Sequence, residues 1–200
     1  MNKVDICNLA LSFIGNRTIT DIDNPITTEE KICSIWYETT VKQCLIESSP
    51  NFARTRAIIP LSNNNNPFGF QYSYQLPNNC LKVLGIGETY QIDNDYCIED
   101  NYIFTDEISN NSLPIRFIKY VDDVNKWSEP FKRYTAISLA VNICYQINKD
   151  LNLLQFLEQN KAQALLDCNT FNNQESKLTI IYNPRYESSR FGQPYKRIQK

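Results

Sequence analysis

The sequence contains no histidine, which removes most nucleophilic chemistry at once. Ser/His and Cys/His pairs need an imidazole to take the proton. The seven cysteines are Cys7, Cys33, Cys44, Cys80, Cys97, Cys144 and Cys168. No two have C-x-x-C spacing, and without histidine they make no tetrahedral zinc set. Their odd number and their places on apolar faces of the expected elements read as free, buried thiols in a reducing compartment. Gly85-Ile86-Gly87 is too short to cradle a phosphate and runs into Glu88. It reads as a bulge or a strand end. The carboxylate pairs Asp122-Asp123 and Asp93/Asp95 fall where a strand turns toward a helix and in a hairpin turn. Both are places where Asp serves local hydrogen bonding. A glycosidase needs two carboxyl groups across a cleft, one raised by burial, and no pair of that kind stands out. No catalytic residue, cofactor site or metal site is expected.

The chemistry that remains is recognition. Between Lys177 and Lys200, six cations (Lys177, Arg185, Arg190, Lys196, Arg197 and Lys200) meet a single Glu187. Four aromatics, Tyr182, Tyr186, Phe191 and Tyr195, alternate with them. Disordered tails tend to lack aromatics, while aromatics and Arg dominate interface energetics. The stretch reads as an extended arm. Its candidate partner-binding residues are Tyr182, Arg185, Tyr186, Arg190, Phe191, Tyr195, Lys196 and Arg197. The rest of the chain is balanced, with a net charge of −2, which does not suggest general nucleic-acid binding. With 42% hydrophobic and 12% aromatic residues over 200 positions, it can bury a core.

The elements that must carry this arm follow from periodicity. Asp5–Ile14 reads as a helix with Ile6, Cys7, Ala10, Phe13 and Ile14 on one face and a stop at Gly15-Asn16. A second helix starts at Thr27, where Thr27-Thr28-Glu29-Glu30 forms a capping box. Its expected stripe is Ile32, Ile35, Trp36, Thr39 and Ile46, and Ser48-Ser49-Pro50 ends it. Strand patterns then cover Ala53–Leu61, Phe70–Leu76, Leu81–Ile86, Tyr90–Ile92, Tyr96–Glu99, Tyr102–Thr105 and Ile115–Val121. A meander is expected around turns at Asp93-Asn94 and Asp100-Asn101. Ser128-Glu129-Pro130 starts a third helix, with a capping hydroxyl and Ile137, Ala140, Val141 and Cys144 as its stripe. After Asn148-Lys149-Asp150, a fourth helix carries Leu154, Leu157, Ala164, Leu165 and Cys168 and fades near Asn172. Trp36 and Trp127 read as core or rim residues.

The expected class is α+β: a four-helix bundle with an inserted antiparallel β block and an extended C-terminal arm. Residues 1–50 and 127–174 form the bundle, 51–126 the insertion and 175–200 the arm. Two isolated helical hairpins would bury too little surface, so the halves should pack together. Met1-Asn2-Lys3-Val4-Asp5 has no signal-peptide shape and no apolar run reaches the length of a membrane span. The expectation is a protein made in the cytoplasm, or assembled there.

In order along the chain stand Asn8-Leu9-Ala10-Leu11-Ser12-Phe13-Ile14-Gly15, Trp36-Tyr37 and Pro50-Asn51-Phe52-Ala53. Phe70-Gln71-Tyr72-Ser73-Tyr74-Gln75-Leu76-Pro77 and Asn79-Cys80-Leu81-Lys82-Val83-Leu84 follow, then Ile103-Phe104-Thr105-Asp106, Ile115-Arg116-Phe117-Ile118 and Glu129-Pro130-Phe131. This series resembles the tail tubular protein A and podovirus head–tail adaptor family over roughly residues 5–170. The family's turn after the second helix carries a Trp that this sequence lacks.

That resemblance implies a structural, non-enzymatic virion protein of a tailed bacteriophage, made in the host cytoplasm. It would form a ring, usually dodecameric, at the head–tail junction. The ring would dock on the portal protein, extend the DNA channel without sequence-specific binding, and offer a platform to a downstream tail protein. No membrane is involved. A virion-associated cell-wall hydrolase of muramidase type is the first alternative. The second is a nucleic-acid-binding module that uses the basic-aromatic arm, since aromatics between cations can stack bases.

Overall fold

A computed structural model describes residues 1–62, 69–87, 95–106 and 111–175. Among these the chain is mixed helix and sheet, an α+β arrangement of four helices and two three-stranded antiparallel sheets. The helices are α1 (Lys3–Phe13), α2 (Thr28–Ser48), α3 (Glu129–Asn148) and α4 (Leu151–Gln174). The strands are β1 (Arg54–Pro60), β2 (Tyr72–Gln75), β3 (Cys80–Ile86), β4 (Tyr96–Glu99), β5 (Tyr102–Thr105) and β6 (Ser112–Lys119). All six lie between α2 and α3 in sequence.

Local chemistry sets the helix ends. Helix α1 starts two residues earlier than its apolar pattern suggests, because Asn2 and Asp5 form a capping box of their own. It closes where Gly15, at φ +68°, lets Asn16 N–H reach the Leu11 carbonyl and Gly15 N–H the Ser12 carbonyl, a Schellman closure. On α2 the Thr27 hydroxyl accepts from Glu30 N–H, and the Glu30 carboxylate accepts from Thr27 N–H. Helix α3 departs from expectation at its start. Pro130 is in the first turn, but the Ser128 hydroxyl makes no capping bond and is buried without a partner among the described residues. The break before α4 is as expected: Lys149 is left-handed at φ 54° and Asp150 accepts from Asn152 and Leu153 N–H. Helix α4 runs on to Gln174, past the expected fade near Asn172.

The expected stripe of α2 is only partly right: Ile32 and Trp36 pack against the core, but the buried face is centred elsewhere. Its buried residues are Glu30, Cys33, Tyr37, Thr40, Val41, Cys44, Leu45 and Ser48. Ile35, Thr39 and Ile46 are exposed, and Ile32 and Trp36 only half-buried. Ranking residues by hydrophobicity favoured the isoleucines. The buried face instead mixes Tyr37, Val41, Leu45 and two thiols with Glu30, Thr40 and Ser48, and α3 meets it with polar groups as well as apolar ones, as where Asn142 donates to the Thr40 hydroxyl at 2.8 Å. On α1, Leu11 is buried and Phe13 only half-buried. The expected residues of α3 and α4 lie in or against the core, with Val141, Leu154 and Leu165 at its margin.

Helix α3 packs against α1, α2 and α4 and is buried almost all round from Phe131 to Ala140. The larger core gathers there. Trp127 closes it, donating Nε1–H to the Val121 carbonyl at 3.0 Å and meeting Phe131 edge-on.

The first sheet has the order β1-β6-β3 and the second β2-β5-β4. Of the expected meander, the described residues show its second half. β4 and β5 do form a tight hairpin, and Asp100 and Asn101 both take positive φ at its turn, as a type I′ turn requires. Tyr90–Ile92 and the Asp93-Asn94 turn lie outside the described residues. Register shifts interrupt β3 at Cys80/Lys82 and Val83/Gly85, and Gly87 follows its end at φ +87°, so the Gly85–Gly87 run is both bulge and strand end. Strand β6 starts at Ser112 and stops before Val121. It is buried on both sides: Leu113, Ile115 and Phe117 join Ile59, Tyr74, Leu76, Ile86 and Ile103 in a second core between the sheets, while Ile118 joins the helical core.

Candidate docking site

The candidate partner-binding residues Tyr182, Arg185, Tyr186, Arg190, Phe191, Tyr195, Lys196 and Arg197 all lie outside the described residues. What is described is the point from which their segment is carried. The last turn of α4 is pinned to the junction between α2 and β1. The Asn51 side-chain amide donates to the Asn172 carbonyl at 2.7 Å and to the Glu175 carboxylate at 3.1 Å. The Asn172 amide donates in turn to the Ser48 carbonyl at 3.4 Å. Asn172 is itself buried. No basic side chain sits in the last turn of α4, so a neutral amide donor serves the carbonyl end of the helix. The sequence reading missed this root. Asn51 was visible only as part of a turn, and one amide among many Asn residues carries no pattern.

Helix α4 has a second feature. Its exposed residues include Leu151, Phe156 and Leu166, each about 60% exposed, together with Asn152, Gln155, Gln159, Ala162, Gln163, Thr170 and Asn173. The exposed charges along α4 are Glu158 and Asp167. Charge depletion with exposed apolar side chains is the composition of an interface core. Between α3 and α4 a cavity of about 370 Å³ is lined by Glu129, Pro130, Arg133, Ala164 and Asp167.

Asp122 and Asp123, one of the carboxylate pairs considered for chemistry, are engaged within the fold. Asp122 accepts from Lys3 at 2.9 Å and from the Tyr120 hydroxyl at 3.2 Å. Asp123 accepts from Asn125 N–H at 3.1 Å, which holds its carboxyl below the usual aspartate value. Asp93 lies outside the described residues. Among the described residues no group of three His, Cys, Asp or Glu side chains could hold a metal ion.

Glu47 is the most networked acid between helices. It accepts from the buried Tyr134 hydroxyl and from Gln43, and Lys161 lies 3.9 Å away. Burial pushes its carboxyl up, but these partners outweigh it and the net displacement is downward. The contact joins α2, α3 and α4 and is structural in character. Among the described residues no helix is long and apolar enough to cross a membrane.

No protein-family model matches the sequence, and no curated protein matches it.

Proposed function

We propose that the chain is a head–tail adaptor subunit of a tailed bacteriophage: a non-enzymatic virion protein that assembles as a ring, usually dodecameric in such adaptors, and docks on the portal protein. The four helices act as one bundle, a rigid wedge that sets the angle between neighbours. The segment 177–200 is the docking arm, with Tyr182, Tyr186, Phe191 and Tyr195 as anchors and Arg185, Arg190, Lys196 and Arg197 setting register against acidic portal residues. DNA passes through the ring without being read, and the far face receives the next tail protein.

One observation carries the reading. Two helices, a run of strands and two helices follow one another along the chain, the organisation that the adaptor-like motifs imply. Two further features favour it. Asn51, within one of those motifs, pins the root of the basic-aromatic segment. The outer face of α4, where exposed Leu151, Phe156 and Leu166 stand with only Glu158 and Asp167 as exposed charges, suits a side-to-side contact, since ring closure needs two different faces that complement each other.

Mixing the purified protein with its portal and imaging the mixture by electron microscopy is the test. A ring seated under the portal is expected from the full chain, and bare portals from a chain lacking residues 177–200. Rings that seat equally well without the arm would remove it from the mechanism. Portals that stay bare with the full chain would remove the adaptor assignment altogether.

A further inference from the structure

The second sheet ends on an unguarded strand. In the order β2-β5-β4, β4 pairs with β5 on one side and has no strand on the other among the described residues. Edge strands are commonly blunted by Lys, Pro or a bulge. β4 reads Tyr96-Cys97-Ile98-Glu99, without Lys or Pro, and its register with β5 is unbroken. Tyr96 and Ile98 stand opposite Thr105 and Ile103, which are both buried. Yet Tyr96 is 37% and Ile98 46% exposed, so the apolar inner face runs out past what covers it.

The surroundings are acidic. Seven carboxylates and no cation stand between Lys82 and Arg116, and Asp95, Glu99 and Asp100 frame β4 itself. The end of the chain has the opposite sign, with six cations against Glu187 from Lys177 onward. That basic run opens with Lys177-Leu178-Thr179-Ile180-Ile181, where Thr and Ile are strand formers. We propose that residues 178–181 of one copy add to the open edge of β4 in a second copy, with Lys177 set against the acids that frame it. Backbone pairing at a sheet edge gives the affinity, the exposed Tyr96 and Ile98 gain cover, and charge selects the segment.

Reach decides between another copy and the same one. Glu175 is held by Asn51, and three residues carry the chain from there to Leu178, at most about 11 Å. Asn51 stands just before the start of β1, whereas the second sheet meets β1 past its other end, where Leu61 bridges Tyr74. Strand rise puts roughly 20 Å between Arg54 and Leu61, and β4 lies two strands beyond β2. The segment falls short of its own β4. Pairing between copies joins two different surfaces, so it passes from subunit to subunit as a ring requires, and it leaves Tyr182 and the residues after it for the portal. The contact deepens the adaptor reading. It is measured without the portal, so its failure and that of portal seating are separate results.

The test is sedimentation velocity on the full-length chain and two full-length variants. Ile98→Lys charges the edge and keeps the arm. Ile180→Pro removes a backbone donor from the arm, lies after the last core residue, and keeps the edge. The parent should self-associate with rising concentration, and about 0.5 M salt should weaken this through screening. Each variant alone should associate at least roughly tenfold more weakly, a loss of about 1.4 kcal/mol. Mixed one to one, the variants should form a dimer, because one supplies the arm and the other the edge. Association of both variants equal to the parent's would overturn the proposal by placing the contact elsewhere. A mixture no more associated than its parts, or a parent that stays monomeric, would overturn it as well.

Discussion

Glu30 shows how one side chain can organise both a helix and the loop before it. Its carboxylate accepts from Ile26 N–H at 2.8 Å and Thr27 N–H at 2.9 Å, with Thr20 N–H and the Thr20 hydroxyl at 3.4 Å. It therefore caps α2 and folds the preceding connection onto it. Those amide donors, Thr27 first, lower its carboxyl from the ordinary 4.5 to about 2. A carboxylate depressed in the folded state stabilises fully above its unfolded value, and that stabilisation is lost as pH falls through the folded one. Its contribution should be complete above about pH 4.5 and gone near pH 2. Glu30→Gln is expected to unfold at a lower temperature at neutral pH, with the difference from the parent narrowing across that window. A gap that stays constant down to pH 2 would show that the carboxylate's charge is not its source. Asn51 works at the other end of the helical body, where it donates to two groups of the last turn of α4. Asn51→Ala should cost about 1 kcal/mol and speed amide exchange in residues 171–174. Unchanged exchange there would mean that the root is held by Asn172 alone.

At the scale of elements, α2 gives the clearest discrimination. If Cys33, Tyr37, Val41, Cys44 and Leu45 face the core, Leu45→Ala should cost about 2–5 kcal/mol. Ile35→Ala, at a side chain 69% exposed, should move stability by no more than about 0.5 kcal/mol. Urea unfolding of the two variants decides between this face and the isoleucine face, and a reversed ranking would reinstate the latter. The contrast also shows what sequence could carry. The capping box at Thr27, the glycine stop at Gly15 and the turn at Asp100-Asn101 were legible because each is settled within a few residues by hydrogen bonding and φ. The face of α2 was not, because it depends on what lies opposite, and α3 supplies Asn142, Thr135 and Ser138 there. Strand spans were legible from alternation, but their partners were not. Placing β6 between β1 and β3 joins segments some 30 to 60 residues apart, and nothing within either segment encodes that choice. The proposed docking residues stand out in the sequence as a composition, a basic run with interleaved aromatics. Their root at Asn51 and Asn172 does not, since a pair of amides more than 100 residues apart has no local signature.

At the scale of the molecule, the two cores set what the arm can and cannot be doing. The helical core gathers around α3 and the smaller core between the sheets, and every buried side chain described lies at or before Asn172. The contacts of Asn51 with Asn172 and Glu175 also fall before residue 177, where the basic-aromatic run begins. A chain ending at residue 176 therefore keeps the whole described body and its last tether. It should unfold within roughly 2 °C of the full chain, since surface and terminal changes rarely move stability beyond about 0.5 kcal/mol. Scanning calorimetry on the pair checks this directly. A drop well beyond that margin would mean that residues 177–200 contribute to the fold of their own subunit. Failed portal binding by the shortened chain would then report a damaged body. An unchanged midpoint together with lost portal binding separates the two roles, with stability residing in the helical and sheet cores and attachment in the basic-aromatic segment carried from the end of α4.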